Sequence, residues 1–60
     1  MKVVAKILID FEEPDSIAAR RRLRELADAI IPLLPKDGKL RDFKMVEDGT
    51  GRLVEKIETE

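Results

Sequence analysis

The sequence contains no Cys, His, Trp, Tyr, Asn or Gln. Without Cys there can be no disulfide and no thiolate zinc site, and without His the commonest nitrogen ligand and general base are gone. The single serine, Ser16, has no imidazole to activate it, and a helix-capping role accounts for it. There is no glycine-rich phosphate loop and no aromatic stacking platform. Catalytic activity, a cofactor, a metal and a small-molecule substrate are therefore not expected. No apolar run approaches the roughly twenty residues needed to cross a bilayer. Lys6 interrupts the N-terminal apolar stretch, and no small-residue cleavage site follows it. The expectation is a soluble, cytoplasmic chain with no signal peptide and no membrane partner.

What the chain does have is charge. Twelve basic and thirteen acidic residues among sixty give a net charge of −1, so no general attraction to polyanions follows. Polarity rests almost wholly on Lys, Arg, Asp and Glu. Hyperthermophile proteins show such a bias, and so do designed sequences with mixed-charge surfaces. In composition the whole chain resembles de novo designed miniproteins, which implies a thermostable, structural protein; no natural family is recognised in it. The Arg20-Arg21-Arg22 run and Pro32 within a helical segment depart from that pattern.

Residues 1–60 make one domain, near the lower size at which a chain folds unaided. Residues 2–11 alternate, with Val3, Ala5, Ile7, Ile9 and Phe11 on one side and Lys2, Val4, Lys6, Leu8 and Asp10 on the other. That period of two, rich in β-branched residues, reads as a strand. Pro14, Asp15 and Ser16 then begin a helix, with Asp15 or Ser16 as the cap. Ala19, Leu23, Leu26, Ala27, Ile30, Leu33 and Leu34 fall in one arc of it. Pro32 should end or kink the helix near Ile31. Pro35-Lys36-Asp37-Gly38 turns the chain into two further strands, 39–47 and 52–59, around Asp48-Gly49-Thr50-Gly51. A four-residue loop would set Glu47 against Arg52, Val46 against Leu53, Met45 against Val54, Lys44 against Glu55 and Arg41 against Glu58. A two-residue loop would bring like charges together, so the longer loop is preferred.

The expected architecture is α+β, in the order β-α-β-β. Its three-stranded, mainly antiparallel sheet runs in the order 1-3-2, with one helix on one face and a right-handed crossover, as in half of a ferredoxin-like domain. One helix covers one sheet face, yet both faces carry apolar residues. The expected consequence is a homo-oligomer, a two-fold dimer first of all, joined through the sheet face or edge. The candidate interface is Val4, Leu8, Leu40, Val46, Leu53 and Ile57. The competing reading is that these are scattered surface apolar residues.

Two alternatives belong to other classes. Arg20, Arg21 and Arg24 share one side of the helix and would be the contacts of a small dimeric nucleic-acid-binding regulator. Against that, Glu25 and Asp28 stand four residues beyond Arg21 and Arg24, where they would offset the charge, so nucleic acid is not the expected partner. The other alternative is a small protein-binding inhibitor using the open sheet face. The carboxylates Glu12, Glu13, Asp15, Glu47 and Asp48 lie where capping and turn formation explain them, with no calcium-loop spacing. Lys6 is expected at a solvent-facing rim, and Phe43 and Met45 as core or interface filling.

Overall fold

Asp15 caps the helix. In a computed structural model of the chain, which describes residues 1–58, its backbone is extended and its carboxylate accepts a hydrogen bond from the Ala18 N–H at 2.8 Å. This satisfies one of the amide donors that every helix start leaves without a helical partner. The helix α1 runs Ser16–Ile30 and passes into a 3-10 turn, Ile31–Leu33, at Pro32. Proline has no N–H to continue the α-helical ladder, so regular helix stops where expected. The Leu34 N–H closes the tighter turn on the Ile31 carbonyl at 3.1 Å.

Two strands follow, β1 (Phe43–Val46) and β2 (Leu53–Ile57), paired antiparallel. The loop between them is the four-residue one. The Glu47 N–H donates to the Arg52 carbonyl at 2.9 Å, and the Gly51 N–H returns to the Glu47 carbonyl at 2.8 Å. Gly49 and Gly51 both hold positive φ, 92° and 74°, where a side chain would be strained. The Thr50 hydroxyl donates to the Glu47 carboxylate at 2.9 Å and accepts from the Arg52 N–H at 3.2 Å.

Beyond the first pair the register departs from expectation. Val46 faces Leu53, but Met45 faces Glu55, Lys44 faces Lys56 and Phe43 faces Ile57. Val54 is thus an extra residue on β2, a bulge. Slipping one residue turns every later side chain to the opposite face. Ile57 consequently shares a face with Phe43 and Met45 rather than with Val46 and Leu53. The expected Lys44–Glu55 and Met45–Val54 pairs do not form. The strands are also shorter than 39–47 and 52–59; residue 59 lies outside the described part.

The three-stranded sheet is the larger correction. Among the described residues the sheet has two strands, β1-β2, and residues 1–13 adopt no regular secondary structure. There is accordingly no 1-3-2 order, no right-handed crossover and no half-ferredoxin unit. Strand β2 was to lie in the middle, but its ladder is only five residues long and broken at Val54. The Lys56 N–H is moreover taken by the Glu55 carboxylate at 3.2 Å. Little regular edge is left for a long third strand to join.

The core is correspondingly small. Leu23, Ala27 and Ile57 are buried, with Leu40, Phe43 and Met45 packed against them. Ala19, Leu26, Ile30 and Leu34 of the expected helical arc are half-buried. Leu33 is exposed, since the 3-10 turn advances more degrees per residue and swings it off the arc.

Candidate functional site

The apolar N-terminal segment is where the molecule is least finished. Every residue from 1 to 12 is exposed. Leu8 is 98% exposed and Val3, Val4 and Ile7 each about two thirds or more. The alternation that marks residues 2–11 as β-forming is thus present without a strand partner among the described residues. Between this segment and the apolar flank of α1 and the hairpin lies an open gap of about 2190 Å³, reaching Leu23, Leu26 and Ile30. Ligand pockets are commonly about 300–1,000 Å³ and enclosed. This space is larger than that and open to solvent.

The six candidate interface residues divide. Val4, Leu8, Val46 and Leu53 are exposed, and Val46 stands directly across the ladder from Leu53, so those two make a small outward apolar pair. Leu40 is partly buried against the core, and Ile57 is 7% exposed within it. The bulge at Val54 is the reason for Ile57. A bulge has no reliable side-chain signature, so parity counting placed this residue on the wrong face. Val3, Ile7 and Ile9, on the other side of the alternation and outside the candidate interface, are exposed as well. The signal for them was present in their alternation; what could not be read was whether the chain would cover them.

The arginine side of α1 is also exposed. Arg20, Arg21 and Arg24 form no ion pair with any described residue, so the expected Arg21–Glu25 and Arg24–Asp28 pairs are not made. Arg22 takes the acid instead. Its guanidinium donates to Glu13 at 3.0 Å and to Glu25 at 3.1 Å, tying the lead-in of the helix to its second turn. The Glu13 hydrogen bond, then the charges of Glu13 and Glu25, push the Arg22 pKa further above its ordinary value.

On the hairpin, Lys44 and Lys56 face each other, and Asp42 reaches both, at 3.8 and 3.5 Å. Asp42 holds φ at 56°, the left-handed region that Asp tolerates better than most residues. Lys56 also lies 3.8 Å from Glu58. These are solvated ion pairs. Among the described residues no group of three or more His, Cys, Asp or Glu side chains could hold a metal ion. Among the described residues no helix is long and apolar enough to cross a membrane.

Comparison with known proteins adds no relative: no family model, no curated protein and no solved structure matches the chain. The chain is a small α+β protein without a recognised natural family.

Proposed function

We propose that the chain is a structural, non-catalytic unit that associates with itself, a two-fold dimer being the simplest closed form. The observation that carries this reading is the run of exposed apolar side chains in residues 1–11, on a segment patterned for a strand. Surface area supports it. The chain exposes 5594 Å², whereas a folded monomer of 6.8 kDa is expected to expose about 4000 Å². The excess, about 1600 Å² on that scaling, is ample for one side of a standard interface, about 800 Å² per partner.

Solution mass tests this directly. Sedimentation equilibrium from micromolar to millimolar concentration should give twice the 6.8 kDa chain mass, with the chain mass emerging only on dilution. A single-chain mass throughout would overturn the proposal. Arg20, Arg21 and Arg24, exposed and without an ion-pair partner among the described residues, favour a second reading, a nucleic-acid-binding surface. Salt-dependent retention of DNA or RNA, lost on Arg20→Glu with Arg24→Glu, would distinguish it.

A further inference from the structure

The N-terminal segment carries a pattern that names its own partner. Read outward from Lys6, the sequence is close to a palindrome: Ala5 and Ile7, Val4 and Leu8, Val3 and Ile9, then Lys2 and Asp10. In an antiparallel pair, residues equally far from a two-fold axis stand opposite each other and share a face. We infer that residues 2–10 of two copies pair antiparallel about an axis through Lys6, making a strand–strand interface that neither copy holds alone. The inference rests on the self-association proposed above and gives it a register.

Placed this way, every apolar residue from 3 to 9 meets an apolar residue, and Lys2 of each copy meets Asp10 of the other. Val3, Ala5, Ile7 and Ile9 form a continuous apolar face, doubled by the second copy. Those residues are exposed, and their backbone lies in no ladder, so nothing within the described chain competes for them. The one unfavourable contact is Lys6 opposite Lys6, and two long stems on an exposed face can splay into water.

Other arrangements do less well. An axis through Ile7 sets Asp10 against Val4 and Lys6 against Leu8. An axis through Leu8 pairs Lys6 with Asp10 but runs Val3 and Val4 against Glu13 and Glu12, and Glu13 already holds Arg22 at 3.0 Å. Addition to a hairpin edge offers strands of only four or five residues, one of them bulged. A dimer is also a closed assembly, because each segment finds its only match in the segment opposite.

Charge exchange tests the register. Lys2→Asp alone sets two acids against each other at both ends of the interface, and Asp10→Lys sets two lysines there. Each variant should weaken the dimer roughly thirtyfold, and an equimolar mixture of the two should recover it as a heterodimer. A cysteine at the axis gives an independent reading in a chain that has none. Oxidised Lys6→Cys should form a covalent dimer readily, while Leu8→Cys should not. A wild-type dimer indifferent to both charge variants, or one that crosslinks through position 8 and not 6, would overturn the inference and leave self-association standing. A wild-type monomer would remove both.

Discussion

The two parts of this small chain carry the same kind of information and meet different ends. The helix and hairpin, residues 16–57, are amphipathic and find each other, so Leu23 and Ile57 are buried. Residues 2–11 are as cleanly patterned, with a wholly apolar side, and remain exposed. Pattern alone, then, does not bury a residue; a complementary surface must lie within reach. For α1 that surface is one hairpin away. The N-terminal segment meets a short, bulged ladder whose edge is partly used by its own side chains.

Substituting one leucine in each part should break the comparison most visibly. Leu23 is 3% exposed at the centre of the core, and Leu→Ala at such a site costs about 2–5 kcal/mol. A chain of this size has about 3–5 kcal/mol to lose. Leu23→Ala should therefore abolish the cooperative thermal transition and most of the helical circular-dichroism signal. Leu8→Lys should leave that signal intact and reduce the solution mass to that of one chain. Loss of the helix in both variants would show that the two parts are one energetic unit.

A smaller effect is expected at the helix start. Asp15→Ala removes the acceptor of the Ala18 N–H and should cost about 1 kcal/mol, read as a lower denaturation midpoint, with no change in dimer affinity once folded. The cap illustrates what was legible in the residues. Asp15, offered with Ser16 as the cap, the stop at Pro32 and the loop Asp48-Gly49-Thr50-Gly51 all depend on neighbours close in sequence and stand as expected, as does the apolar arc except at Leu33, which the 3-10 turn exposes. The third strand and the Lys44–Glu55 pair depended on long-range register. One extra residue at Val54 reversed the face of Ile57 and placed Lys44 against Lys56. Of the candidate interface, Val4 and Leu8 are exposed, but so are Val3, Ile7 and Ile9 of the opposite parity, so alternation did not decide their exposure, and Leu40 and Ile57 required the ladder to be known.

The finest test concerns that lysine pair, because like charges directly opposite should weaken a ladder. Here Asp42 lies within 3.8 Å of Lys44 and 3.5 Å of Lys56, and supplies the opposite charge to both. All three side chains are largely exposed, so the gain is limited by solvent and salt. Asp42→Asn keeps a residue that accepts the left-handed backbone at φ 56° and deletes only the charge. It should destabilise the hairpin by about 0.5 kcal/mol at low salt, and the difference should fade near molar salt. Asp42→Ala loses the same charge and also the tolerance of positive φ, a further cost of about 1–2 kcal/mol that salt cannot screen. A salt-independent deficit in the Asn variant would mean that the carboxylate acts through backbone geometry, and that the facing lysines need no counter-charge.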